Sequence, residues 1–199
     1  MYKAIIFDLG RVLINFDFAR GYRALEPLCP YSAAEIPKRL STTTLVQDFE
    51  TGLLEPHDFV ARMGELLGFS LHYDQFCSIW SSIFAETLVP ESLLESLAAR
   101  YRLLILSNTN AIHFESVRER YPLVRHFHDL VLSYEVKAMK PHREIYDRAI
   151  ELAGCSPSQC FYTDDIAEYV EAARELGIDA AQFCGVEQLM EELRRRGIV

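Results

Sequence analysis

The chain has 199 residues, half of them hydrophobic and a quarter charged, with a formal net charge of −9. This is enough for one globular domain or one domain with a modest insertion, and the acidic balance argues against a nucleic-acid partner. No apolar run reaches the ~18 residues of a membrane span, the N-terminus lacks the pattern of a signal peptide, and 5 scattered cysteines without a C-x-x-C pair predict a reduced, cytoplasmic protein.

The first element is the run Ala4, Ile5, Ile6 and Phe7, which enters Asp8 and is closed by a turn at Gly10. Such a run predicts a strand over 3–8 buried on both faces. Residues 17 to about 85 carry helical patterns and no strand signal, with candidate helices at 17–27, 32–40, 42–50, 56–68 and 72–86. Trp80 and Phe84 share helical spacing in the last of these, and such aromatics are expected to pack inside a bundle. Beyond residue 90 strand and helix alternate. Strands are predicted at 102–107, 130–133, 160–164 and 180–183, and helices near 110–120, 142–153, 166–176 and 186–195. The alternation implies an α/β fold, a Rossmann-like parallel sheet core with helices on both faces. The parse is a core of residues 1–14 and 87–199 with an all-helical insertion, residues 15–86, after the first strand. An insertion there hangs over the carboxyl edge of the sheet, where a lid is expected.

Four polar segments fall at or after the carboxyl ends of these strands, where open α/β sheets bind ligands. Asp8 follows the first strand, and a carboxylate there can act as nucleophile or metal ligand. Ser107, Asn108 and Thr109 follow the second. Small polar side chains and free N–H groups at a strand-to-helix turn suit an oxyanion such as phosphate. Lys140 and Pro141 precede the helix that begins near Arg143, and a lysine at a helix start opposes the macrodipole and points to an external anion. Asp164 and Asp165 close the strand at 160–164. Two adjacent carboxylates repel each other, and a cation such as Mg²⁺ stabilises them. Each segment alone also has a plainer reading: a turn Asp, a helix N-cap, a solvated pair of Lys137 and Lys140, a capping Asp. Their order and placement together form the specific signal.

In that order, with a helical insertion after the first, the segments resemble those of haloacid dehalogenase superfamily hydrolases. FDLG at 7–10, LSNTN at 106–110, MKP at 139–141 and FYTDD at 161–165 narrow the resemblance. They are similar to the subgroup holding bacterial α-D-glucose-1-phosphate phosphatases and the N-terminal phosphatase domain of soluble epoxide hydrolase. The resemblance implies a Mg²⁺-dependent phosphatase of a small phosphorylated metabolite, with sugar 1-phosphates as the expected class. Asp8 would be the nucleophile that forms an aspartyl-phosphate. Mg²⁺ would be held by the Asp8 carboxylate, the Gly10 carbonyl and Asp165, with Asp164 alongside. Ser107, Asn108 and Thr109 would hold phosphate oxygens, and Lys140 would neutralise the phosphate and Asp8. The only partner expected is the small substrate, with no nucleic acid and no membrane, on a monomer or homodimer.

The chain departs from the family pattern at four positions. Gly10 stands where most phosphatases of this superfamily carry a second Asp that protonates the leaving oxygen, a group worth roughly 10²–10⁴ in rate. Its absence is least harmful when the leaving group is acidic, as an anomeric hydroxyl is, and the resembling glucose-1-phosphate phosphatases also have Gly there. Arg11 replaces a frequent Asn and would meet a substrate oxygen, the cap or solvent. Tyr169 replaces an Asn or Asp that braces the metal site, and Lys137 replaces a common Gly. Phe16, Phe18, Arg20 and Phe49 are candidates to read the substrate from the insertion. Two other readings stay open: a non-catalytic protein that binds a phospho-ligand or a protein partner, and a 2-haloacid dehalogenase, against which the acidic pair argues.

Overall fold

The computed structural model describes all residues from 1 to 199. Its first elements are β1 (Ala4–Phe7), β2 (Ile14–Phe16), α1 (Phe18–Leu25), α2 (Ile36–Leu40), α3 (Leu45–Glu50), α4 (Pro56–Leu67), α5 (Tyr73–Trp80) and β3 (Phe84–Thr87). There follow α6 (Glu91–Ala98), β4 (Arg102–Ser107), α7 (Ala111–Arg120), β5 (Asp129–Leu132), α8 (Ser133–Val136) and α9 (Arg143–Ala153). The chain closes with β6 (Cys160–Asp164), α10 (Ala167–Glu175), β7 (Asp179–Gln182) and α11 (Val186–Arg195).

Five strands form one parallel sheet in the order β5-β4-β1-β6-β7, the Rossmann-like core expected. Alternate side chains of a strand point to opposite faces, and β1 shows the consequence. Ile5 and Phe7 join a core with Leu94, Leu97, Phe114, Val117, Leu189 and Leu193, from α6, α7 and α11. Ala4 and Ile6 join a second core with Ile145, Tyr146, Val170 and Ala173, from α9 and α10. Helices on both faces leave no polar register for β1, hence its unbroken apolar run.

The helices between β2 and β3 bury a third core of their own, built on Leu25, Ile36, Phe49, Phe59, Met63, Phe76 and Trp80. Phe49 and Phe59 stack at 4.1 Å, and Phe76 stacks on Trp80 at 5.7 Å. The helix expected over 72–86 stops short. α5 ends at Trp80, a 3-10 turn follows at Ser81–Ile83, and Phe84–Thr87 is a strand. That strand pairs antiparallel with β2, Phe16 opposite Phe84. Strands of three and four residues whose partner lies far off in sequence carry no readable period, so local patterning hid this ribbon. The short helices α6 and α8 also went unread, although Pro90 ahead of α6 with Leu94 and Leu97 one turn apart is a recognisable signature. No helix is long and apolar enough to cross a membrane.

Candidate active site

Strand register gathers the first polar groups. Phe7 lies opposite Ile105 of β4 and Thr163 of β6. The next residue, Asp8, donates its N–H to the Thr163 carbonyl at 2.9 Å and so reaches the sheet edge beside Asp164. Ser107 ends β4 on the other side of β1. Three adjacent strands thus deliver two carboxylates and a hydroxyl to one carboxyl edge.

Lys140 enters from the segment between α8 and α9. Its Nζ lies 2.7 Å from Asp8 Oδ1 and 2.6 Å from Asp164 Oδ2, and it donates to the Leu106 carbonyl at 3.1 Å. The peptide Lys140–Pro141 is cis. Asn108 fastens this segment from both sides. Its Nδ2 donates to the Lys140 carbonyl at 3.0 Å, and its Oδ1 accepts the Lys140 N–H at 2.8 Å. The Tyr169 ring lies 5.1 Å from Lys140 Nζ, and its hydroxyl accepts from Asn108 Nδ2 at 3.5 Å. Tyr169 therefore braces the lysine and its clamp rather than supplying a carboxylate. With the Asn108 amide so engaged, its backbone N–H and the Ser107 hydroxyl remain without a partner in the chain.

Burial alone would lower the Lys140 pKa, but Asp8 and Asp164 outweigh it and hold the ammonium above its ordinary value. Burial pushes the Asp8 carboxyl up to about 7, against the pull of Lys140 and with the push of Asp164. Asp165 is also raised, by burial first and by the charge of Asp164 second.

Asp8, Asp164 and Asp165 each place a carboxylate oxygen within 4.8 Å of the others. The two members of the acidic pair differ in what they hold. Asp164 is fully enclosed: Oδ2 takes Lys140 and the Tyr162 hydroxyl, and Oδ1 takes the Ile166 N–H at 2.9 Å. Asp165 is partly buried and takes no hydrogen bond from any other residue of the chain. Three carboxylates around one ammonium leave two negative charges uncompensated. A hard divalent cation fits that deficit and that donor set, with Asp8 and Asp165 as its open ligands.

A cavity of about 150 Å³ opens on these groups, lined by Asp8, Gly10, Arg11, Ser107, Lys140 and Asp165 among others. Arg11 sits at its rim in a left-handed conformation, φ 57°, with its guanidinium 5.1 Å from the Phe16 ring centre. Thr109 lies in a second cavity behind, and its N–H is already taken by Ser133 Oγ at 2.9 Å. Phe16 and Phe18 line that second cavity, whereas Phe49 is core and Arg20 bonds the Phe84 carbonyl at 3.2 Å. Gly10 has no room for a side chain: an added Cβ would lie 2.6 Å from Phe16 Cε1.

Sequence reasoning missed the groups that seat the helical segment. Ser133 donates to the Glu50 carbonyl at 2.6 Å, and Lys137, at φ 63°, donates its Nζ to the Gly52 carbonyl. His113 bridges its ring to the Trp80 carbonyl at 3.1 Å and to Asn110 Nδ2 at 3.0 Å. Burial lowers its pKa to about 4, so the ring is neutral near pH 7.

A model of the haloacid dehalogenase-like hydrolase family matches residues 2–177. D-ribitol-5-phosphate phosphatase of Bacteroides thetaiotaomicron is 29% identical over 189 residues, 92% of each chain. A crystal structure of the enzyme bt-2542 from the same organism, in complex with magnesium and inorganic phosphate, superposes with a TM-score of 0.82. Its identity is 30%, and the match covers 92% of this chain and 94% of that one. A predicted HAD-like hydrolase from Porphyromonas gingivalis superposes at 0.85 with 25% identity, over 98% of both chains.

Proposed function

The chain belongs to the haloacid dehalogenase-like hydrolases, and on that premise we propose that it is a Mg²⁺-dependent phosphatase of small polyhydroxylated phosphate esters, sugar 1-phosphates first among them. The observation that carries the reading is the buried trio of Asp8, Lys140 and Asp164 beside the half-buried Asp165, with a nucleophile, a fixed cation and an open carboxylate at one sheet edge.

In this reading Asp8 attacks phosphorus. A bond forms from its carboxylate oxygen to phosphorus, and the bond to the leaving oxygen breaks. Water then attacks the same phosphorus, and the Asp8–phosphorus bond breaks to release phosphate. The Ser107 hydroxyl and the Asn108 N–H hold the phosphoryl oxygens, and Lys140, its three N–H donors engaged by Asp8, Asp164 and the Leu106 carbonyl, contributes its charge beside them. Lys140 and the Asn108 clamp on its backbone are in place before substrate arrives, so little reorganisation is needed when charge moves. Mg²⁺, held by Asp8, Asp165 and the Gly10 carbonyl, would supply the charge that keeps Asp8 ionised and neutralises the phosphoryl group. Asp164 acts through its grip on Lys140. Residues 15–86 serve as the cap that closes over the edge.

The leaving oxygen finds no acid at position 10. An anomeric hydroxyl departs more readily than an ordinary alcohol, which favours sugar 1-phosphates. The relative named for D-ribitol-5-phosphate acts on a linear polyol ester, which supports the polyhydroxylated class. The acidic pair and the phosphate-sized donors favour phosphate over haloacid chemistry.

The test is hydrolysis of p-nitrophenyl phosphate beside a panel of sugar 1-phosphates, sugar 6-phosphates and alditol phosphates, with and without Mg²⁺, on wild type and Asp8→Asn. Metal-dependent turnover that the substitution abolishes is expected. No turnover of any ester would favour a phospho-ligand-binding protein. Undiminished turnover in Asp8→Asn would remove the assigned nucleophile.

A further inference from the structure

Three cavities adjoin in series between the sheet edge and the helical segment. The first is the 150 Å³ cavity at Asp8. The second, of about 50 Å³, shares Gly10, Phe16, Ser107 and Asn108 with it and adds Phe18 and Glu50. The third, of about 400 Å³, shares Phe18 and Glu50 with the second and opens among Ser41, Thr43 and Gln47. Glu50 stands where the second meets the third.

This carboxyl differs from several other acids of the chain. Glu35, Glu86 and Glu192 each take hydrogen bonds from the chain, and their pKa values fall. Glu50 takes none, and burial, opposed by no charge or donor, pushes it up to about 7. Its position is nonetheless fixed. Its carbonyl accepts from Ser133 Oγ at 2.6 Å, and Ser133 in turn accepts the Thr109 N–H at 2.9 Å, two residues beyond Ser107. This half-buried carboxyl, with no donor from the chain, is solvated only through the cavities it borders. A ligand that enters them and brings donors satisfies it in place of water.

We infer that Glu50 is the specificity residue for the leaving group: its carboxyl binds a hydroxyl of a polyhydroxylated ester whose phosphoryl group sits at Asp8. The inference rests on the phosphatase reading above and adds the residue that recognises the alcohol part. A leaving group with a second phosphate is repelled by the same carboxyl, so monophosphates are selected. In the third cavity Ser41, Thr43 and Gln47 stand among Phe18, Tyr22, Leu40, Val46 and Trp80, and these three polar side chains suit the remaining hydroxyls of such a ligand.

The experiment uses Mg²⁺-loaded wild type, Glu50→Leu and Glu50→Gln. It compares kcat/KM for the best polyhydroxylated ester of the panel with kcat/KM for p-nitrophenyl phosphate, which has no hydroxyl to offer. Glu50→Leu is expected to lower the ratio of the two by about ten- to a hundredfold, the range for a hydrogen bond to a charged group. Glu50→Gln keeps an acceptor and should lower it less. A ratio unchanged in both variants overturns the inference. So does an equal loss on both substrates, which is the mark of a structural role. A wild type that hydrolyses the aryl ester and no polyhydroxylated ester overturns the inference and leaves the phosphatase reading standing. A wild type that hydrolyses neither overturns the phosphatase reading, and that result appears before any variant is made.

Discussion

Lys140 and Asp164 form an ion pair of 2.6 Å that is closed to solvent from both sides. Asp8 shares the same ammonium at 2.7 Å. Lys140→Met keeps the bulk and removes the charge, so two buried carboxylates lose their only fixed cation. Loss of one partner of a buried pair costs about 3–5 kcal/mol. Urea unfolding without Mg²⁺ should show a loss of that order, and part of it should return when Mg²⁺ is added. Turnover should be lost in either case.

Asp165 has the opposite signature. Its folded pKa is raised, by burial and then by Asp164, so its ionised form is disfavoured in the metal-free fold. Asp165→Asn should leave metal-free stability equal or higher near pH 7. Wild type should gain about 2.7 kcal/mol at a Mg²⁺ concentration of 100 times Kd, and the variant should gain far less. Thermal unfolding across a Mg²⁺ titration reads both effects. A full Mg²⁺ response in the variant would remove Asp165 from the ligand set.

Phe16 occupies the space that a side chain at position 10 would need. Gly10→Asp alone should therefore bring little gain on alkyl phosphates. Gly10→Asp combined with Phe16→Leu should exceed Phe16→Leu alone by about a hundredfold, the lower end of the range for a general acid. The gain should be small on p-nitrophenyl phosphate, whose leaving group needs no proton. Equal gains on both esters would mean that the new carboxyl is not donating to the leaving oxygen.

His113 predicts an acid weakness. Its folded pKa of about 4 lies below its ordinary 6.5, so between those values the unfolded chain binds the extra proton. Its contribution is fully present above about pH 6.5 and is lost as pH falls toward about 4, with a slope of up to about 1.4 kcal/mol per pH unit. Unfolding free energies measured across that window should show the slope. His113→Gln, which keeps a donor and an acceptor without titrating, should flatten it.

The parallel sheet was legible because its strands are buried on both faces and declare themselves as apolar runs ending in polar residues. Asp8, Ser107, Asp164 and Asp165 stand out for the same reason, each at or next to a strand end where the pattern breaks, whereas Lys140 stands out only by its place ahead of a helix. What local reading could not supply was contact across the chain. That Asn108 spends its amide on the Lys140 backbone, that Thr109 gives its N–H to Ser133, and that Glu50 rather than Phe49 faces the cavity all depend on segments distant in sequence. Two departures from the family pattern acquire a physical meaning. Arg11 and Lys137 both adopt positive φ, a conformation that Asn or Gly, the residues common there, adopt with less strain.

Five side chains of the core grip the helical segment by its backbone. Ser133, Lys137, His113, Arg120 and Tyr121 donate to the carbonyls of Glu50, Gly52, Trp80, Ser81 and Ala85. A carbonyl oxygen is the same whatever side chain its residue bears. These five bonds are thus uncoupled from the segment's side chains, while Ile112 and the His113 ring pack against its apolar core. Substitutions at the residues that bear these carbonyls would leave the acceptors of these five bonds in place.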